Sequence, residues 1–139
     1  EKHVIVMVGL PARGKTHMAR RLARYLAFFH GARTKVFNVG EYRRKHVKQA
    51  HSDFFDHSND KNKELRASFA KMALEDMKNF LFEDHAQQQL LPSRTTSFAS
   101  KGVDSGKVAF YDATNTTKAR RQWIYNELQR LPLKLIYIE

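Results

Sequence analysis

Cysteine is absent from the sequence, and acidic residues are scarce, with 14 Asp and Glu against 25 Lys and Arg. Without cysteine the chain cannot form disulfides, thiolate metal sites or a thiol nucleophile. No apolar run approaches the ~20 residues that a membrane-spanning helix needs, which argues against a bilayer span. With 42% hydrophobic and 12% aromatic residues among 139, the composition is typical of one globular domain and excludes a disordered chain.

The shortage of acidic residues leaves a formal net charge of +11. Such a charge predicts an anionic partner, which is a nucleic acid, an acidic membrane surface or a phosphorylated small molecule. No helix-turn-helix, zinc-finger or aromatic ribonucleoprotein motif accompanies the charge, so we expect no nucleic-acid partner. We also expect that the protein has no membrane partner and that it is cytoplasmic. No two of the seven histidines are spaced for a metal site on one helix turn.

The apolar pattern alternates between strands and helices. Strands are predicted at 4–8, 35–39, 107–112 and 133–138, and helices at 15–30, 60–84 and 117–131. This alternation predicts an α/β fold, a mostly parallel sheet flanked by helices, and together with the glycine-rich motif at Gly9–Thr16 it is typical of the P-loop NTPase type. Ligands of such sheets bind at the carboxyl ends of the strands. In the first helix the predicted buried stripe is Met18, Leu22, Tyr25 or Leu26, and Phe29.

Two segments lead us to expect an unusual domain. Residues 86–106 are polar and rich in breakers, and we predict a mobile surface insertion there. The run at 133–138 predicts a buried strand at the end of the sequence. Because a buried strand rarely ends a natural domain, we expect residues 1–139 to be the N-terminal part of a larger domain.

A complete phosphate-binding motif lies at Gly9–Thr16, where GLPARGKT matches G-x-x-x-x-G-K-[ST]. The glycines let the backbone curl around phosphate oxygens, and Ala12 and Arg13 belong to the same predicted nucleotide loop. Lys15 can reach the β- and γ-phosphates, and the Thr16 hydroxyl is a ligand for Mg²⁺. The alternative is a glycine turn with an incidental Lys-Thr pair, which the flanking apolar strand and amphipathic helix disfavour.

An aspartate ends the predicted strand at 107–112. Asp112 is suited to ligate a metal, to position an acceptor hydroxyl or to take its proton, and the sequence leaves these roles open. The alternative role is a turn cap. Four polar residues, Thr114 to Thr117, follow at the same edge. We expect one of the last two to cap the next helix and the others to be available to a polar substrate.

Three segments, GLPARGKT, KVFNVGEYRR and FYDATNTTKARR, resemble the kinase domain of the 6-phosphofructo-2-kinase family. The resemblance implies transfer of the γ-phosphoryl group of ATP to the 2-hydroxyl of fructose 6-phosphate, with Mg²⁺, and Asp112 as the catalytic or metal-linked carboxylate. It also implies a fused fructose-2,6-bisphosphatase domain and a homodimer. The implied sugar-phosphate contacts are Arg43, Arg66, Thr114 and Arg120.

Other readings of the charge and of the motif stay open. Arg20, Arg21 and Arg24 lie off the predicted stripe of the first helix and are interpreted as solvated surface. Arg44, Lys45, Lys48 and Arg121 are expected to add to the positive field without contacting the ligand. The alternatives for function are another P-loop small-metabolite kinase, or a nucleotide-binding module without turnover.

Overall fold

A computed structural model of the chain describes residues 1–49, 59–83 and 106–139. The predicted insertion at 86–106 lies outside this described part except for Gly106. The elements in chain order are β1 (Lys2–Met7), α1 (Lys15–His30), β2 (Arg33–Asn38), α2 (Val39–Gln49), α3 (Asn59–Phe82), β3 (Lys107–Asp112), α4 (Lys118–Leu128) and β4 (Lys134–Ile138). No helix in the described part is both long and apolar enough to cross a membrane.

The four strands form one parallel sheet in the order β2-β3-β1-β4. The predicted α/β class and parallel sheet are therefore confirmed. Asp112, the last residue of β3, pairs with Met7 on one side and with Asn38 on the other. Three strands thus end at the same level, and the segments that follow them leave the sheet side by side.

β1 and β3 bury nearly all of their side chains, so both faces of the sheet are covered. On one face the strands pack against α1, and on the other they pack against α3 and α4. The second core is larger and is built around Leu74 and Met77 of α3 and Ile124 and Leu128 of α4, all with no exposed surface. Strands without alternation are expected where a sheet is buried on both sides.

The predicted buried stripe of α1 is partly wrong. Ala19 and Ala23 are the buried residues of this helix, with Leu22 and Leu26 partly buried beside them. Met18 and Phe29, predicted to face the core, are 57% and 66% exposed, and of the two alternatives Leu26 faces the core while Tyr25 is 50% exposed. The small alanine side chains allow the helix backbone to approach the sheet closely, which turns the larger side chains outward. Sequence periodicity alone predicted that the large apolar residues would be the buried ones.

Two further expectations need correction. The strand predicted to be buried at 133–138 is the edge strand β4 within the described residues, and its Ile136 and Tyr137 are 43% and 39% exposed. The second strand was predicted to end at Val39, but β2 ends at Asn38, and Val39 and Gly40 lie in the first turn of α2. The basic segment that follows Gly40 is therefore helical and projects from the carboxyl end of β2.

Tyr111 joins β3 to α3 inside the larger core. It has no exposed surface, and its hydroxyl donates a hydrogen bond to the Ala70 carbonyl at 2.9 Å. Burial raises the pKa of Tyr111 from 10.0 to about 12, with a smaller opposing effect of Arg120. The folded protein therefore holds this proton more tightly than the unfolded chain does. The resulting stabilisation is complete below pH 10 and is lost as the pH rises through about 12.

We predict that Tyr111→Phe lowers the free energy of unfolding by about 1 kcal/mol near neutral pH, because one buried hydrogen bond is lost. This deficit should shrink between pH 10 and about 12, since phenylalanine has no proton to lose. Urea denaturation of both proteins across this range measures the difference. Tyr25→Phe, at a half-exposed site, is the matched control. A deficit that stays constant over the range would contradict the assignment.

Candidate active site

The loop at Gly9–Thr16 has the backbone of an anion-binding turn. Gly9, Ala12 and Gly14 have φ values of 140°, 58° and 79°. Gly14 immediately precedes α1, which has no acidic residue in its first turn. A curled loop that leads into a helix N-terminus presents backbone N–H groups and the positive end of the helix dipole to an anion. The Lys15 ammonium donates to the Leu10 carbonyl across the loop.

Asp112, Thr16 and Asn38 form a hydrogen-bonded cluster at the ends of β3 and β2 and the start of α1. Thr16 Oγ1 donates to Asp112 Oδ2 at 2.6 Å. Asn38 Nδ2 lies 2.7 Å from the same carboxylate oxygen and 3.1 Å from Thr16 Oγ1. The Asp112 side chain is almost completely buried. Since a buried carboxylate needs donors, the cluster fixes Asp112 beside the phosphate loop.

Asn38 is a site residue that the sequence analysis missed. Its Oδ1 accepts a hydrogen bond from the Glu41 backbone N–H at 3.2 Å in the first turn of α2, while its Nδ2 contacts Asp112 and Thr16. The position of Asn38 could have indicated a role at the site, because Asn38 ends β2 as Asp112 ends β3. An asparagine can bond to α2 and to the Asp112–Thr16 pair at the same time, because its amide has a donating nitrogen and an accepting oxygen.

The pair of oxygens from Thr16 and Asp112 fits a magnesium ion that is held mainly by substrate phosphates. Mg²⁺ in phosphoryl-transfer sites takes one or two protein oxygen ligands and completes its shell with phosphates and water. One hydroxyl and one carboxylate oxygen 2.6 Å apart are such a set. Residues 1–49, 59–83 and 106–139 contain no cluster of three His, Asp or Glu side chains, so a site with several carboxylates has no support in this part of the chain.

One cleft of about 540 Å³ brings together most of the residues that the sequence singled out. It is lined by residues of the phosphate loop, the ends of β2 and β3, and helices α2, α3 and α4. The predicted residues in its walls are Ala12, Lys15, Thr16, Arg43, Arg66, Asp112, Thr114 and Arg120. Gly9, Arg13 and Gly14 are not among the lining residues.

The basic residues of the cleft come from three different helices. Arg43 and Arg66, on α2 and α3, are exposed, and Arg120 on α4 is partly buried with its guanidinium 5.1 Å from the centre of the Trp123 ring. Arg44 also lines the cleft, although we expected it to contribute field without contact. Arg121 instead donates to two backbone carbonyls of the loop before α4. The consecutive Arg120 and Arg121 therefore have different surroundings, whereas Arg43 and Arg44 both line the cleft.

Two hydrogen bonds fix the helices that carry these arginines. The Tyr42 hydroxyl of α2 donates to Asp76 Oδ2 of α3 at 2.6 Å, and burial and this carboxylate raise the pKa of Tyr42. Thr117 is the N-cap of α4, as predicted for one of the two threonines, and its side chain accepts from the Arg120 backbone N–H. The first of these bonds thus joins α2 to α3, and the second fixes the start of α4.

The sequence is similar over nearly its whole length to one enzyme family. A family model described as 6-phosphofructo-2-kinase matches residues 1–91 and 95–139. A relative from Pongo abelii, 6-phosphofructo-2-kinase/fructose-2,6-bisphosphatase 3, is 42% identical over 98% of this chain and 23% of its own length. The 6-phosphofructo-2-kinase/fructose-2,6-bisphosphatase of Caenorhabditis elegans is 40% identical over 99% of this chain and 27% of its own length. The chain spans about a quarter of the length of these relatives.

The orientation of Asn38 depends on the absence of a side chain at residue 40. A Cβ atom added to Gly40 would lie 2.9 Å from Asn38 Oδ1 and 3.3 Å from Arg44 Nη1. We predict that Gly40→Ala turns the Asn38 amide away from Asp112 and lowers turnover in the full-length protein about 10-fold or more, the usual scale for a residue that orients a ligand group.

The same prediction has an internal control. In an Asn38→Ala background, Gly40→Ala should cost little further activity, because the side chain that it displaces is absent. Steady-state rates of the two single variants and the double variant complete this cycle. Additive losses would show that residue 40 acts independently of Asn38.

Proposed function

The chain belongs to the 6-phosphofructo-2-kinase family, and on this premise we propose that the protein transfers the γ-phosphoryl group of ATP to the 2-hydroxyl of fructose 6-phosphate. The products are ADP and fructose 2,6-bisphosphate. The observation that carries the proposal is the single cleft in which the phosphate loop, Asp112 and three helix-borne arginines meet. A reaction between two phosphorylated substrates needs cations for both of them in one place.

The nucleotide half of the cleft is proposed to bind the ATP phosphates through Gly9–Thr16. The curled loop offers backbone donors, and Lys15 exchanges its bond to the Leu10 carbonyl for phosphate oxygens. Thr16 and Asp112 would hold Mg²⁺, which when bound neutralises negative charge on the β- and γ-phosphates. The flanking alanine and arginine of the loop, Ala12 and Arg13, are proposed to belong to the same nucleotide-binding set.

The acceptor half is proposed to bind fructose 6-phosphate through Arg43, Arg66, Thr114 and Arg120. A guanidinium suits a phosphate because its planar fork donates two parallel hydrogen bonds to the oxygens. Neither Arg43 nor Arg66 makes an ion pair with another described residue, and both line the cleft. Arg44, in the same wall, is a further candidate for this set.

Asp112 lies where the two halves meet, next to Thr16 of the nucleotide loop and two residues before Thr114. We propose that its carboxylate serves the reaction as the metal-linked group and receives or orients the proton of the attacking hydroxyl. Attack by the 2-hydroxyl oxygen on the γ-phosphorus breaks the bond to the β-phosphate oxygen, so that the proton of the hydroxyl has to leave the acceptor.

Several wider features of the whole protein follow from its relatives. The names of the relatives combine a 2-kinase with a fructose-2,6-bisphosphatase. We infer that the full-length protein has a phosphatase domain as well. Cytoplasmic location and homodimerisation, both expected from the sequence, are also part of this proposal.

The acceptor assignment predicts a kinetic pattern. In the full-length protein, Arg43→Ala and Arg120→Ala should raise the KM for fructose 6-phosphate about 10- to 100-fold, the effect of losing one charge-assisted hydrogen bond. The KM for ATP should change little, because neither side chain belongs to the phosphate loop. Steady-state kinetics with each substrate varied in turn separates the two constants.

Arg24→Ala is the matched control, since it removes an equal charge from an exposed position on α1. Equal effects of Arg24→Ala and Arg120→Ala would mean that the arginines act only through net charge. A rise in the KM for ATP without a rise for the sugar phosphate would place Arg43 and Arg120 in the nucleotide half instead.

A further inference from the structure

Asn115 lies in the loop at 113–117 that precedes α4, and it connects this loop to the segment that leads into the phosphate loop. Its Nδ2 donates to the Met7 carbonyl at 2.9 Å, at the last residue of β1. Two residues further along the chain, the Gly9 N–H donates to the Thr114 carbonyl at 2.9 Å. These two bonds extend the pairing of β1 and β3 beyond the point where the strands end. They join the base of the phosphate loop to the segment that carries Thr114.

The conformation of Asn115 is costly, which indicates a role other than filling space. The residue is 2% exposed and adopts a φ of 48°, in the left-handed region that asparagine tolerates better than most other side chains. Its Oδ1 is buried and has no hydrogen-bond partner in the described part of the chain. A buried acceptor without a partner destabilises a protein, so packing alone does not account for an asparagine at this position. Unusual backbone conformations and buried polar atoms without partners tend to occur at functional sites.

The Arg121 side chain also donates hydrogen bonds to the loop at 113–117. Its Nη1 lies 2.6 Å from the Thr116 carbonyl and 3.2 Å from the Asn115 carbonyl. The Arg121 carbonyl in turn accepts a hydrogen bond from the Tyr137 hydroxyl of β4 at 3.1 Å. The loop at 113–117 is thus bonded to β1, to Gly9 and to Arg121 of α4, and its residues Thr114, Asn115 and Thr116 make these bonds.

We propose that Asn115 is a positioning residue that holds the phosphate loop (Gly9–Thr16) and the acceptor loop (residues 113–117) in register during phosphoryl transfer. The inference rests on the proposed function, because Thr114 is assigned there to the acceptor sugar. Asn115 acts through the Met7 and Thr114 backbone and does not touch a substrate. Its loss should therefore leave each substrate bound but poorly aligned, which lowers kcat and leaves KM nearly unchanged.

Two variants of the full-length protein test this role. Asn115→Asp keeps the shape and tolerates the backbone conformation, but it opposes a carboxylate oxygen to the Met7 carbonyl. Asn115→Gly keeps the backbone conformation and removes the bridge. We expect kcat to fall by up to ~10²-fold in both variants, the scale for a small misplacement of reacting groups. Both KM values should stay within about threefold when the rates are normalised to folded protein.

Asn126→Asp is the matched control, since it makes the same chemical change at an exposed asparagine of α4. It should leave kcat unchanged. A merely structural role would lower the thermal midpoint of the Asn115 variants but not kcat per folded molecule. Unchanged kcat in both Asn115 variants, or a loss seen only as a higher KM, would overturn the proposal.

Hydrogen exchange separates this proposal from the proposed function. In Asn115→Asp, peptides that contain the Gly9 amide should exchange faster than in the wild-type protein, whatever the acceptor substrate is. Unchanged exchange would overturn the link between the loops. If the wild-type protein fails to phosphorylate fructose 6-phosphate, the proposed function is wrong, and exchange at the Gly9 amide still decides whether Asn115 joins the two loops.

Discussion

The register of three parallel strands is the constraint on which the site depends. Because Met7, Asp112 and Asn38 occupy paired positions in β1, β3 and β2, the segments that follow them start from one edge of the sheet. The phosphate loop, the acceptor loop and α2 are these segments. A shift of one strand by a single residue would turn every side chain of that strand to the opposite face. It would remove Asp112 or Asn38 from the cluster with Thr16.

Charge is the second organising feature of the cleft. Its walls carry Lys15 and four arginines, and Asp112 is the carboxylate among them. Some cations outside the cleft have a local anionic partner, as Arg20 has in Glu41 at 3.0 Å. Like charges that share a cleft repel one another, and anionic substrates relieve this repulsion. On the proposed function, part of the net charge of +11 serves a site for two phosphorylated molecules, and the remainder is ordinary surface.

The sequence predicted the parallel sheet, and most residues of its contiguous motifs lie in one cleft, because strand ends and phosphate loops have strong local patterns. It placed the buried side of α1 incorrectly, since only the tertiary fit shows that Ala19 and Ala23 face the sheet. Asn38 was missed because its role requires Asp112 and Thr16, which are 74 and 22 residues away. The different surroundings of Arg120 and Arg121 likewise depend on the direction of α4, which a basic run in the sequence does not reveal.

The most direct test of the central claim is product analysis of the full-length protein incubated with ATP, Mg²⁺ and fructose 6-phosphate. Phosphorus NMR distinguishes a phosphate at the 2-position from one at the 1-position of the sugar. The account predicts ADP and a fructose bisphosphate with the new phosphate at the 2-position. It also predicts a rate that falls by ~10²-fold or more in Lys15→Ala, because a charge-stabilising group is lost. A product phosphorylated elsewhere, or a Lys15→Ala variant with near-normal turnover, would contradict it.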